Sequence, residues 1–289
     1  MDTVARIALS NPDKVLFPDD GITKADLAAY YASVQDVMLP HVRDRPMNLW
    51  RWNTGIGGKL VVQQDIPKGA PGWVQRVETP RRKGGSIEHV LCQDADTLRW
   101  LANQNCITPH VWSARRDRLD RPDHIVFDFD PEAGSDFTLV REGALLAGEA
   151  LRELGLEPFA MVTGSKGVHV IAPIKRTRDA PWVRERAAEI GVEIAGRSPD
   201  TLTTEWRKEK REGKILVDTA RNTYGQTVVA PYAVRALEGA PVATPLVWEE
   251  LSDPALSARS WTLRTVADRL AERGDPWAGI SDHSAALPG

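Results

Sequence analysis

Hydrophobic positions along this chain follow two periods. Where they recur every three or four residues they predict helices. Leu27, Tyr30, Tyr31 and Val34 share one face of a segment spanning about 24–38, which Thr23 caps and Pro40 follows. The same spacing marks 94–106, with Leu98, Leu101 and Ala102 inward, and 138–154, closed by Gly155. Two more helices are expected over 181–195, opened by Pro181, and near 261–273. Short β-branched and aromatic runs bounded by Gly, Pro or Asp predict strands at 48–52, 59–64, 109–112, 159–162, 168–171, 215–218 and 227–230. Strands and helices mix without strict βαβ alternation, which predicts an α+β fold with mixed sheets.

One strand stands apart. In His124-Ile125-Val126-Phe127-Asp128-Phe129-Asp130, stopped by Pro131, alternation puts Asp128 and Asp130 on one face and the phenylalanines on the other. Side-by-side carboxylates repel, and a divalent cation between them is a common solution. A solvated acidic turn fits the same residues equally well. Asp218 ends its own apolar strand in the same way, and a third carboxylate would complete a cage for one or two Mg²⁺ or Mn²⁺ ions. The loop Thr163-Gly164-Ser165-Lys166-Gly167 offers small residues, hydroxyls and a cation to phosphate oxygens, although its glycine spacing is not that of a Walker A loop. A plain hairpin turn is the commoner meaning of such a loop. His169 follows on the next strand and could equally be a core histidine.

Composition narrows the class. At 289 residues the chain can bury a substantial core, as one domain or two lobes. A 42% apolar and 27% charged composition is that of a soluble globular protein, and a net charge of −3 restricts nucleic-acid contact to local patches. Arg81-Arg82-Lys83 and the run 207–214 are such patches, each also readable as a solvated surface loop. Cys92 and Cys106 are too few for a disulfide framework, which fits a reducing cytoplasm, and no transmembrane or signal segment is evident.

Metal-binding acids beside a phosphate loop imply metal-assisted phosphoryl or nucleotidyl transfer. A haloacid-dehalogenase-like phosphatase uses a similar acid-x-acid, Ser/Thr, Lys, acid order. That class keeps its acid pair near the N-terminus, whereas here more than 120 residues precede it. The other class is a template-directed nucleotidyltransferase.

The ordered motifs decide between them. Phe127-Asp128-Phe129-Asp130-Pro131, the run from Thr163 through Lys166 to His169, and Asp218 followed by Val229-Ala230-Pro231-Tyr232-Ala233-Val234-Arg235 resemble the polymerase domain of bacterial LigD. So do His110-Val111-Trp112 and the opening Asn11-Pro12-Asp13-Lys14-Val15-Leu16-Phe17-Pro18 with Thr23-Lys24. The resemblance runs over about 9–251 and implies an archaeo-eukaryotic primase-like catalytic core: one primase-polymerase domain over 1–289, of two packed α/β lobes around mixed sheets. It implies that Asp128, Asp130 and Asp218 are catalytic and hold two Mn²⁺ or Mg²⁺ ions. Thr163, Ser165, Lys166 and Arg235 would bind an incoming NTP or dNTP, with His110 and Arg211 lining the site, and Lys14 and Lys24 would grip a downstream 5′-phosphate.

The expected function is filling short gaps in DNA during repair, leaning toward ribonucleotides. End joining with Ku and a DNA ligase is the alternative within the same chemistry. One departure is visible: Val61-Val62 stand where the family has two phenylalanines that stack on template bases. Trp50 and Trp52 nearby offer a replacement surface, although a core role fits at least one of them. No ligase or nuclease signature is present, and the reading is of a stand-alone protein.

Overall fold

The computed structural model describes residues 6–81, 84–132 and 134–289. The chain folds into two compact units, one comprising residues up to Trp112 with Val229–Val242 and Trp261–Gly274, the other Ser113–Val228 with Ala243–Ser260 and Asp275–Gly289.

In the first unit, β1 (Val15–Phe17) and β2 (Ile22–Thr23) form a small hairpin leading into α1 (Lys24–Ser33), and α2 (Gln35–Val42) follows. Thr23 and Asp26 make a reciprocal capping box at the start of α1. The single helix expected over 24–38 is therefore two, broken at Val34, with Pro40 inside the second rather than beyond it. Restarting the helix brings Met38, Leu39 and Val42 into the core along a second axis. That burial outweighs the hydrogen bond Pro40 cannot donate.

The sheet runs β7 (Cys106–Trp112), β3 (Pro46–Trp52), β6 (Ser86–Leu91), β5 (Arg76–Pro80), with β4 (Leu60–Gln63) also paired to β3. The β5–β6 hairpin went unpredicted because its charged and polar positions dilute the alternation. Of the basic patch at 81–83, Arg81 pairs with Asp65 at 2.6 Å, and Arg82 and Lys83 lie outside the described residues. α3 (Ala95–Asn103), capped by Asp94, ends three residues before its expected limit. Asn105 then takes a left-handed φ of 55°, and Cys106 already belongs to β7.

The second unit is built on a six-stranded mixed sheet of β8 (His124–Asp130), β9 (Phe159–Val162), β10 (Val168–Pro173), β11 (Leu202–Thr203), β12 (Ile215–Asp218) and β14 (Thr244–Leu246), in spatial order β11-β12-β8-β10-β9-β14. β13 (Thr227–Val229) is the sixth strand of the sheet that holds β3 and β7, at its edge beside β7. Only the β11–β12 pair is parallel. α4 (Phe137–Glu153) and α5 (Ala180–Arg197), capped by Asp136 and Asp179, pack on each other and on β8. Gly143 of α4 lies so close to the Phe129 ring that an added Cβ would sit 3.0 Å from it, so the helices cover the phenylalanine face. The acids of β8 are thereby left on the opposite face.

Among the described residues no helix is long and apolar enough to cross a membrane. Cys92 and Cys106 are fully buried, and burial pushes both thiols up, Cys106 to about 12. The folded protein should therefore leave both unreacted toward a thiol reagent at pH 8, with two equivalents titrating only in denaturant; fast labelling of the native protein would contradict this packing.

Candidate active site

Cross-strand register assembles the centre of the site. Asp128 in β8 lies opposite His169 in β10 on one side and opposite Asp218 in β12 on the other. The three side chains thus form one row across adjacent antiparallel strands, on the face the helices leave uncovered. His169 Nε2 is 3.4 Å from Asp128 Oδ1. Arg221, on the turn after β12, brings Nε to 3.8 Å from Asp128 Oδ2 and 3.7 Å from Asp218 Oδ2, so one guanidinium faces both carboxylates. Asn222 locks that turn in place. Its side-chain amide donates to the Val126 carbonyl at 2.7 Å and accepts the Val126 N–H at 2.8 Å.

The carboxylates feel their crowding. Desolvation, then the Asp128 charge, raises the Asp130 pKa, against the pull of Arg211, Lys166 and Lys208. Asp218, 4% exposed, is raised by desolvation and by its acidic neighbours, although its Oδ1 accepts the Ala220 N–H at 2.7 Å. Among the described residues no three acid, histidine or cysteine side chains are arranged to hold a metal ion. The donor chemistry nonetheless fits hard cations: carboxylate oxygens in excess, desolvated and mutually repelling.

Arg211 is buried and stands at the edge of this group. Its Nε and Nη2 donate to the carbonyls of Glu205 and Trp206 at 3.0 and 2.9 Å, and Nη1 lies 3.9 Å from Asp130 Oδ2.

The loop 163–167 closes beside the same strand end. Thr163 Oγ1 accepts the N–H groups of Ser165 and Gly167, at 3.3 and 3.2 Å, and the Thr163 N–H donates to the Gly167 carbonyl at 3.0 Å. The threonine hydroxyl therefore builds the loop from within, leaving Ser165 half-buried and Lys166 exposed at its tip. Gly167 has no room for a side chain, since a Cβ there would fall 2.0 Å from the Phe129 carbonyl oxygen. Arg259, which sequence reasoning did not single out, donates from Nε to the Ser165 carbonyl at 3.0 Å. A cavity of about 370 Å³ opens beside the loop, lined among others by Ser135, Ser165, Lys166, Ser257 and Arg259. Arg221 was missed as well. Each arginine is one of many in the chain, and only the fold brings it to the acids or to the loop.

The remaining expected site residues belong to the other unit. Lys24 is 2% exposed, and its ammonium donates to the carbonyls of Ser10 and Asn103 at 2.8 and 3.1 Å. Burial, then the Lys14 charge, lowers its pKa, while Lys14 itself donates to the Asn53 carbonyl. His110, also buried, stacks on Trp50 with ring centroids 3.9 Å apart and 24° between planes. Arg235 is half-buried on the turn after Tyr232.

The model of the LigD primase-polymerase domain matches residues 23–277. The chain belongs to this family. As a LigD primase-polymerase domain it is a nucleotidyltransferase of the polymerase kind, and the phosphatase reading has no support. It is 32% identical to the multifunctional non-homologous end joining protein LigD of Mycolicibacterium smegmatis, over 95% of this chain and 36% of that protein. The LigD of Pseudomonas aeruginosa is 34% identical over 95% of this chain and 33% of its own length. The chain thus spans about a third of the curated relatives it matches. Among solved structures, the polymerase domain of Mycobacterium tuberculosis ligase D in complex with DNA superposes with a TM-score of 0.90 at 30% identity, covering 97% of this chain and all of that one.

The Gly167→Ala variant should force the loop off β8. An overpacking cost of about 1–3 kcal/mol is expected in chemical denaturation, together with weaker binding of a fluorescent nucleoside triphosphate. Unchanged stability and binding would mean that the loop does not need this close approach.

Proposed function

We propose that this domain adds nucleotides from NTPs or dNTPs to a primer 3′-end on gapped or broken duplex DNA, inside the cell, as a step in repair. The observation that carries the reading is the cross-strand row of Asp128 and Asp218 with Asp130 beside it and the 163–167 loop closed against the same strand. Asp128, Asp130 and Asp218 would hold Mn²⁺ or Mg²⁺, which when bound polarises the attacking hydroxyl and offsets charge on the phosphates. Lys166 at the loop tip meets the triphosphate as a point charge, with Ser165 donating its hydroxyl, while Thr163 keeps the loop in shape. Arg221 offsets the paired carboxylates until a metal takes that role, and Arg211 ties Asp130 to the segment before β12. His110 and Arg235 are further candidates for contact with the nucleotide, on the family resemblance alone.

We further propose, on the family resemblance, a preference for ribonucleotides and a role in end joining with Ku and a ligase; the names of the LigD relatives support the end-joining part. Lys14, less buried than Lys24, is the better placed of the two to meet a downstream 5′-phosphate. Lys24, held by two carbonyls, would act by fixing the Ser10 and Asn103 backbone beside Lys14.

Asp218→Asn keeps the acceptor for the Ala220 N–H, so it should melt with the wild type yet lose primer extension. Extension at the wild-type rate would remove Asp218 from the site. On a short gapped duplex with Mn²⁺, a 5′-phosphate downstream should stimulate extension, with NTPs used in preference to dNTPs. Lys14→Ala should abolish the stimulation and spare extension on 5′-hydroxyl gaps; equal losses on both substrates would reject the phosphate pocket.

A further inference from the structure

Of the ten tryptophans, Trp206 alone lies mostly in solvent, 58% exposed. The other half-buried indoles are mostly covered: Trp73, Trp182, Trp248 and Trp261 each lie under a guanidinium, and Trp50 lies against His110. Among the described residues no ring or guanidinium covers Trp206. Its indole is therefore open to solvent and to stacking from outside.

Its mounting is firm. The segment between β11 and β12 carries a single 3₁₀ turn, Lys208–Lys210. The buried Arg211 guanidinium holds the carbonyls of Glu205 and Trp206, and Glu205 Oε1 accepts the Arg207 N–H at 2.9 Å. The backbone on both sides of Trp206 is thus pinned, and the same guanidinium approaches Asp130. Arg207, Lys208 and Lys210 follow directly and are all exposed, in a chain whose net charge is −3. An exposed aromatic face on a pinned backbone, flanked by cations, is an arrangement that holds single-stranded nucleic acid, the ring stacking on a base and the cations meeting the phosphates. Inside a duplex, bases present no free face, so such a ring selects unpaired nucleotides.

We propose that Trp206 stacks on an unpaired base of single-stranded DNA led toward Asp130, with Arg207, Lys208 and Lys210 holding its phosphates. The inference rests on the polymerase reading only in naming that strand as the primer end.

Binding is measured by fluorescence anisotropy, without metal or nucleotide, on labelled duplexes of equal length that are blunt or carry a 3′ single-stranded tail. Trp206→Leu should weaken tailed DNA about tenfold and leave blunt DNA unchanged, while Trp206→Phe stays near the wild type. Tailed DNA should quench part of the wild-type tryptophan emission, and that part should vanish in Trp206→Phe. Lys208→Ala with Lys210→Ala should lower the salt dependence of tailed-DNA binding by a slope of roughly 1.4. Trp206 is on the surface, so equal melting temperatures for the Leu variant and the wild type are the folding control. Equal losses on blunt and tailed DNA, or no loss on tailed DNA, would overturn the stacking role. An unchanged salt slope would remove the lysines. Primer extension is scored separately. Trp206-dependent tail binding without extension would keep this inference and reject the polymerase reading, whereas extension with tail binding indifferent to Trp206 would do the reverse.

Discussion

The constraint on which the second unit turns is the repulsion between carboxylates brought face to face by β-sheet register. Asp128 and Asp218 occupy directly opposed positions on β8 and β12, and Asp218 is almost wholly buried. Two negative charges at that spacing, drawn out of water, destabilise the strand pairing unless positive charge is supplied. The fold supplies it from three directions. Arg221 comes from the turn after β12, Arg211 from the segment before it, and Lys166 from the loop beside β10. The apolar layer beneath, with Phe127 and Phe129 under α4 and α5, keeps the strands from separating to relieve the repulsion.

The same constraint links structure to chemistry. The site gathers desolvated carboxylates and sets guanidinium and ammonium groups beside them, so charges of both signs face one another across a few ångströms. The 163–167 loop is held to this site by an absence: because Gly167 has no Cβ, the loop backbone approaches the carbonyl of Phe129, the residue between the two acids of β8. Arg259 then fastens the loop from outside through the Ser165 carbonyl. The 163–167 loop and the acidic strand are in this way coupled through one short stretch of backbone.

Some residues expected to meet ligands directly do structural work as well. The Thr163 hydroxyl is engaged with backbone N–H groups of its own loop, and Lys24 is enclosed by carbonyls. In both cases a polar side chain is too buried to remain unpaired, and the nearest backbone satisfies it. His110, stacked on Trp50, is likewise buried, with Nδ1 3.2 Å from the Thr108 carbonyl.

Much of this was legible before the fold was known. The alternation in 124–130, the acid ending β12, the Gly-bounded loop, the cap at Thr23, the opening at Pro181 and the stop at Gly155 are local signals, set by period and by turn chemistry within a few residues. They specified an α+β chain and, through several motifs in order, its family. The break at Val34 and the β5–β6 hairpin were not legible, because packing against distant elements decides them. Nor were Arg221, Arg259 and the exposed Trp206, since an arginine or a tryptophan carries no periodic mark of where its side chain will end up. Sequence determined which residues were able to do chemistry; register and packing decided which of them share a site, because cross-strand neighbours are distant along the chain and adjacent only once the sheet has formed.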